Sequence, residues 1–488
     1  MAERQIEFCA PALTYFDQHA IERIHTATAE LLEQSGCRLL HPEAIALLKK
    51  YGCRRGPQNS VTISMSLVER ALDTAPSTIT IHDREKAPAM ILEKRNVYYG
   101  TGSDCPYILD AKTGRCLPFD LDAIERAVRV AEDLPHIDFI MSMGMAAELD
   151  DAVAYQRKYW AMLQHSTKPQ VLTSGPDITT LKDIVKMAQS VAGGVETLEH
   201  HPSFLLLVNP TSPLVHSGEA IQKLIVMADA NLPVIYAPGI MAGATGPVTM
   251  AGAIVQANAE ILAGLVVHQL TRPGAPFVYG GGMSPIDMKS SQPTYSAPEA
   301  MMAQAGLCQI GRDRYHLPTW GFGGCSASKI CDEQAVNEAA TYNLMAAWAG
   351  TNLVHDVGYL EFGMTYSLEL LVLCNEFIGQ TRRIMTGIAV DEDQVALEAI
   401  QRVGPGGSFL MDAHTMQHFK NNWQPELTDR KTRKVWEKSG GQTMGQRARA
   451  KIRAILDSPS PQLIDAAVAA KIATIIDSAD AGNSATTP

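Results

Sequence analysis

The side chains best suited to chemistry crowd one short loop: His355, Asp356, Tyr359 and Glu361 lie within NLVHDVGYLEFG. An imidazole next to a carboxyl group suits acid–base work or the holding of a ligand. Successive side chains on a strand point to opposite faces, so while the strand lasts only one of His355 and Asp356 faces inward. A second loop, TWGFGGCSASK, sets Trp320 and Phe322 between small residues. Aromatic residues make up only 6% of the chain, yet Tyr98, Tyr99, Tyr107, Tyr236, Tyr279, Trp320, Phe322 and Tyr359 fall on or just after short apolar runs. A ring presents a negative face, so several rings can surround a cation without giving it a counter-charge. That suits a quaternary ammonium, which has no N–H to donate. The same rings also serve as core filling, the commoner use of aromatic side chains.

Asp104 and Asn209 stand at further strand ends, and Asp104 and Glu361 are sources of negative charge. Arg312, at the end of a helical stretch, offers a forked contact to a substrate carboxylate, as does Arg314; either can instead cap its helix. The candidates for catalysis are therefore His355, Asp356 and Glu361. Those for substrate binding are Tyr98, Asp104, Tyr107, Asn209, Tyr279, Arg312, Trp320, Phe322 and Tyr359. His414 and His418 share one helix face, but HTMQH lacks the glutamate of zinc hydrolases and shows no third ligand, so no metal site is assigned. The chain has no GxSxG elbow, no P-loop and no HExxH, and GTGSDC at Gly100 lacks the third glycine of a dinucleotide fingerprint. Difficult chemistry is then expected to come from a partner.

What must position these residues is a repeat. From Val97 onward, VYYG, IDFIMSMGM, PQVLTSG, FLLLVNP, PVIYAPG, PFVYGGG, LPTWGFGG and LVHDVGYL each precede a helical stretch. Eight strand–helix units close a parallel barrel, typically over about 250 residues. The runs are apolar throughout, as in parallel strands covered on both faces. The expectation is an α/β fold: a TIM (β/α)8 barrel at 96–388, with a mostly helical N-terminal cap at 1–95, a helical extension at 389–480 and a disordered tail at 481–488. Sites in such barrels are built on the loops after the strands, where the candidates lie.

The 488 residues are 46% hydrophobic with a net charge of -11, a globular composition that disfavours a nucleic-acid partner. MAERQIEF has no apolar leader core, so no signal peptide is expected. VTMAGAIVQANAEILAGLVVHQL is interrupted by Gln256, Asn258 and Glu260 and reads as a buried helix, not a membrane span. Nine scattered cysteines fit reduced thiols in a cytoplasm. A homo-oligomer paired through outer helices is expected.

PTWGFGGCSASKICDEQA, then NLVHDVGYLEFGMTYSLELLVLCNEFIG with Arg382 and Arg383, then HTMQHF with NNWQPELTDR, resemble the trimethylamine methyltransferase superfamily. The resemblance runs from Ile21 to Ile455. It implies a TIM barrel with extra helices and an enzyme that moves a methyl group from an amine nitrogen to the Co(I) of a separate corrinoid (cobalamin) protein, with no cofactor held by the chain itself. In that superfamily, archaeal trimethylamine enzymes carry pyrrolysine in the barrel mouth, while many bacterial members lack it and demethylate quaternary amines. This chain contains standard residues only, with Ser326 to Asp332 as the stretch equivalent to pyrrolysine. The resemblance therefore implies a quaternary-amine donor, with glycine betaine favoured and proline betaine, carnitine or γ-butyrobetaine as alternatives. One departure is Asn375, which precedes Glu376 where the superfamily has an acidic pair. A quaternary ammonium leaves as a neutral tertiary amine and needs no proton at nitrogen, so the protein's tasks are desolvation and orientation. Two other readings stay open: a non-catalytic quaternary-amine-binding protein, and a barrel enzyme using His355 and Asp356 as acid and base on another substrate.

Overall fold

The structure is a computed structural model that describes residues 11–484. The opening MAERQIEF and the tail residues 485–488 lie outside the described residues; the last helix, Ala466–Ser484, runs beyond position 480. Seven short strands form one parallel sheet in the spatial order Tyr98–Tyr99, Leu353–His355, Thr319–Phe322, Phe277–Gly280, Val234–Tyr236, Phe204–Val208, Gln170–Leu172. Each is followed by a helix on the outside, as strand–helix alternation demands of parallel neighbours. The remaining unit, IDFIM, makes only isolated parallel bridges, Gly100 to Phe139 and Ile140 to Gln170. It thus touches both edge strands of the sheet without pairing continuously to either, so ladder hydrogen bonding does not close the expected eight-stranded barrel.

Period-two alternation sorts every strand residue. Leu205, Ile235, Val278, Trp320 and Leu353 point into one inner core, joined by Phe139, Met141 and Val171. Phe204, Leu206, Val234, Tyr236, Phe277, Tyr279 and Val354 point outward into the larger core beneath the helices. The inner core is plugged at one end by an antiparallel hairpin, Ile79–His82 with Pro88–Leu92, whose Ile79, Ile81, Met90 and Leu92 join that core. TITIHDRE, which reads as an exposed strand, is therefore a floor: its alternation is real, but its apolar face is fully covered.

The helix Met250–Thr271 is buried nearly all round, 78% of its most apolar window lying inside the structure. Its polar residues all have partners. Glu260 accepts from Ser212 Oγ at 2.7 Å and Leu214 N at 2.8 Å, and Asn258 bonds Tyr315 and Tyr279. A buried polar group without such partners costs roughly 1–3 kcal/mol. At the loop ends, Asp120, Ser217, Asp332 and Ser367 accept backbone N–H groups as N-caps and fix where each helix starts. Beyond the sheet, Glu376 receives the backbone N–H groups of Glu426, Leu427 and Thr428 at 2.8–3.1 Å, and Arg449 Nη1 donates to both carboxylate oxygens of Glu369. Asn375 caps the His136 backbone at 2.9 Å, so the departure from an acidic pair sits in a structural contact.

Candidate functional site

A cavity of about 230 Å³ opens at the carboxyl ends of the strands, opposite the hairpin floor. It is lined by Trp320, Phe322, Tyr295, His355, Asp356, Tyr359 and Phe362, with Ser103, Leu207, Asn209, Ala237, Pro238 and three glycines completing the wall. Trp320 forms its base, because inward parity puts the indole above Phe139 and Leu353 in the inner core. The rings are layered: His355 stacks on Trp320 with centroids 4.0 Å apart, Phe322 lies 4.6 Å from His355, and Tyr295 stacks on Phe322 at 5.5 Å. Small residues make room for them. A Cβ at Gly282 would overlap the Phe322 ring, and one at Gly102 would overlap the Tyr359 ring.

His355 and Asp356 both reach the cavity, against the expectation from alternation. The strand ends at His355, and Asp356 takes a left-handed conformation with φ 71°, which turns its side chain back to the same side. The following loop repeats the device at Glu361 and Phe362, with φ 51° and 58°. Such conformations cost roughly 1–3 kcal/mol each and persist only where surrounding structure holds them. Here the Tyr359 hydroxyl donates to the Ser103 carbonyl and ties this loop to the one after the first strand.

The pair carries no net charge. His355 Nδ1 donates to the Gly321 carbonyl at 2.8 Å, which leaves Nε2 facing Asp356 Oδ1 at 3.3 Å. That distance permits an ion pair, but burial opposes it at both ends. Burial drives His355 down to about 3, and it drives Asp356 well above the carboxylate range, with the Tyr359 hydroxyl pulling weakly the other way. Ionising both groups would require desolvating two charges with nothing further to solvate them. The carboxyl proton instead has His355 Nε2 as its acceptor. Among the described residues no lysine or arginine lines the cavity.

The structure brings together Asn209, Trp320, Phe322, His355, Asp356 and Tyr359 of the sequence candidates. It separates the rest. Tyr279 points outward, and its hydroxyl donates to Asn258 Oδ1 at 2.9 Å; its neighbour Val278 takes the inward position. Tyr98 is inward but at the floor, where its hydroxyl accepts the Ile91 N–H at 3.0 Å. Tyr107 lies 41% exposed on a side sheet, paired with Thr365. Arg312 sits at the opposite end of the sheet, bonded to the Ala349 carbonyl and to Asp313 Oδ1 at 2.8 Å, and is not in the lining of this cavity. Asp104 is beside the mouth but committed to the buried Lys158 at 2.6 Å. Glu361 accepts from Thr365 at 2.9 Å outside the lining. Tyr295, Phe362 and Ser103 were not foreseen. Tyr295 rides on the excursion between Gly280 and Pro298, whose unusual length was its only sequence signal.

Comparison with known proteins follows the same lines. The chain is 30% identical over 466 residues to the trimethylamine methyltransferase MttB of Desulfitobacterium hafniense (strain DSM 10664 / DCB-2), covering 95% of this chain and 94% of that protein. It is 28% identical to the glycine betaine methyltransferase of Desulfitobacterium hafniense (strain Y51), over 96% of this chain and 97% of the relative. It is 31% identical to the trimethylamine methyltransferase MttB of Methanosarcina barkeri, over 96% and 95%. In fold it is similar to the crystal structure of the Methanosarcina barkeri monomethylamine methyltransferase MtmB, with a TM-score of 0.51 at 11% identity, covering 92% of this chain and 90% of that one. The family model for trimethylamine methyltransferase (MTTB) matches residues 1–482, and the chain belongs to that family.

Proposed function

We propose that this protein takes a methyl group from a small quaternary amine, glycine betaine foremost, and delivers it to the Co(I) of a separate corrinoid protein. The observation that carries this reading is a cavity walled by Trp320, Phe322 and Tyr295 with no lysine or arginine among the described residues of its lining. Ring faces hold a permanent cation, and a lysine or arginine would repel it. The volume is below the roughly 300–1,000 Å³ of pockets for drug-sized ligands, which supports glycine betaine over carnitine or γ-butyrobetaine. Phe139–Ile140 serves in this reading as the eighth stave of a closed barrel.

With the floor plugged, a methyl group leaves only through the mouth. Gly239 is exposed and Gly363 half-buried in its wall, where a flat corrin can approach the backbone. The corrinoid supplies the nucleophile; the chain supplies position and dryness. Trp320 and Phe322 orient the N–CH3 bond. Asn209 donates one amide N–H to the Ala237 carbonyl at 2.5 Å and keeps a second for the substrate carboxylate. Asp356, neutral when the cavity holds no cation, becomes its counter-charge when the ammonium enters, so binding releases a proton.

The test is methyl transfer from a panel of betaines to reduced corrinoid protein, read from the corrinoid spectrum. Transfer from glycine betaine in preference to the longer betaines supports the reading. No transfer from any of them overturns it, and tight betaine binding without transfer would indicate a binding protein.

A further inference from the structure

A cluster of metal-binding side chains lies outside the seven-stranded sheet and its helices. His414 and His418 stand on the short helix Ala413–His418, and the fold brings Asp393 to them from the helix Glu392–Val395. One ligand atom from each of the three lies within 4.8 Å of the other two. His418 Nε2 is 3.1 Å from Asp393 Oδ2, and the two imidazole centroids are 4.3 Å apart. Tetrahedral zinc bound at about 2.0–2.1 Å places its ligand atoms about 3.3 Å apart, close to that spacing.

Two further observations point to a missing group. His418 Nε2 is sealed from solvent and makes no well-aligned hydrogen bond, facing only the Asp393 carboxylate, while its Nδ1 lies 3.3 Å from Asn421 Nδ2. Buried polar atoms normally find a partner. Moreover, this part of the chain has almost no core. Between residues 382 and 426 only Ala399 is buried, while Ile388, Val390, Leu410 and Met411 are 71–82% exposed. The forked pair of Arg402 with Asp412, at 2.9 and 3.1 Å, and the cluster itself are what tie its turns together. Segments without an apolar core are commonly held by a metal or another cross-link.

The geometry points to a divalent transition-metal site formed by Asp393, His414 and His418, with zinc the best fit, that staples residues 391–395 to 413–421. Two imidazoles and a carboxylate are borderline donors suited to zinc, and three protein ligands leave a fourth position open. Metal binding at His418 Nε2 places the ring proton on Nδ1, and the Asn421 amide then turns its oxygen to accept it.

The full-length protein, free of any affinity tag and stripped with a chelator, is titrated with Zn2+ by calorimetry and with Co2+ by visible absorption. One ion per chain, with the strong absorption of tetrahedral Co2+, supports the site. His414→Ala/His418→Ala should abolish it, and Asp393→Asn, which keeps the side-chain shape, should weaken it by about 10-fold or more. Equal binding by the wild type and the double variant, or no saturable binding, overturns the proposal. In limited proteolysis, Zn2+ should slow cleavage between residues 386 and 426 in the wild type and not in Asp393→Asn; cleavage indifferent to the metal overturns the stapling role.

Discussion

Two sets of aromatic rings occupy the same sheet and differ in which of its faces they take. The inward set, Trp320 and Phe322, stacks with His355 and faces a cavity. The outward set, Tyr99, Tyr236 and Tyr279, is wholly buried beneath the helices. Each outward hydroxyl has one dedicated partner: the Asn343 carbonyl at 2.8 Å, His216 Nδ1 at 2.6 Å and Asn258 Oδ1 at 2.9 Å. A tyrosine is needed outside because its polar tip must pin a helix to a strand. Inside, rings without such an anchor leave their faces open to a ligand. Residue type therefore does not distinguish site from scaffold here; strand parity does.

The strongest test of that distinction removes one ring from each set. Trp320→Ala should cost about 3–5 kcal/mol of stability, as large aromatic deletions in cores do. It should also lower kcat/KM for methyl transfer by about 100-fold or more, since the base of the cavity no longer orients the substrate. Tyr279→Phe leaves Asn258 Oδ1 without its donor and should cost about 1–3 kcal/mol with an unchanged KM. Thermal unfolding and steady-state kinetics on the two variants separate the sets; a KM change in Tyr279→Phe would erase the distinction.

Asp356 gives the next largest effect, and it moves affinity and stability in opposite directions. Asparagine resembles the neutral carboxyl in shape and still donates to His355, but it cannot become a counter-charge. Asp356→Asn should weaken binding of a quaternary ammonium by about 10- to 150-fold, the worth of a charge-assisted contact of roughly 1.5–3 kcal/mol. It should also abolish proton release on binding, measured by calorimetry in buffers of different ionisation enthalpy. Because burial raises Asp356, the folded state keeps a proton that the unfolded chain loses above about 3.9. Wild-type stability from this group is full below that pH and is lost as pH rises toward the raised value. Asp356→Asn should therefore gain on the wild type by up to about 1.4 kcal/mol per pH unit across that window. His355 acts in the reverse sense. Held down at about 3, it contributes stability that is present above about 6.5 and lost as pH falls toward its folded value. A stability difference independent of pH would mean that Asp356 is ionised in the free protein.

Phe322→Leu keeps most of the apolar area and removes the ring face. A cation–π contact is worth about 0.5–2 kcal/mol, so the KM for a betaine should rise about 2- to 30-fold with a smaller change in kcat. A neutral isostere of the substrate should bind both proteins equally; equal loss for the neutral isostere would mark Phe322 as a packing residue only.

These contrasts also mark what could be read from the chain. Seven of the eight expected strand–helix units and their loops were legible because apolar runs and helix patterns alternate at fixed spacing; the eighth run, IDFIM, makes only isolated bridges. Trp320, Phe322, His355 and Tyr359 were legible because they sit where strands stop. Tyr279 was misplaced although the needed rule was at hand: Val278 and Tyr279 cannot both face inward, and in an all-apolar run nothing local says which does. The opposite error arose at Asp356. Alternation excluded it beside His355, but a left-handed residue cancels alternation, and no composition rule foretells φ 71° at an aspartate. Asp393 was invisible as a partner of His414 and His418 because the contact is made by the fold.

Arg312 gives the smallest expected effect. A carboxylated substrate calls for a fork of N–H donors, and an arginine near a barrel strand reads as one. The chain direction decides otherwise. Arg312 ends the helix Pro298–Asp313, and a helix that follows one strand runs back to the amino-terminal end of the next. An arginine in its last turn is therefore delivered to the floor side, where it meets the Ala349 carbonyl that precedes the Leu353–His355 strand. Arg312→Ala should cost about 0.5–1.5 kcal/mol for the lost hydrogen bonds and leave the KM for every betaine in the panel unchanged. Asn209→Ala is its counterpart at the mouth and should raise KM for carboxylated donors more than for tetramethylammonium. If Arg312→Ala alone raised KM, the carboxylate would have to bind at the opposite end of the sheet from the rings, and the cavity lined by Trp320, Phe322 and His355 would not be the substrate site.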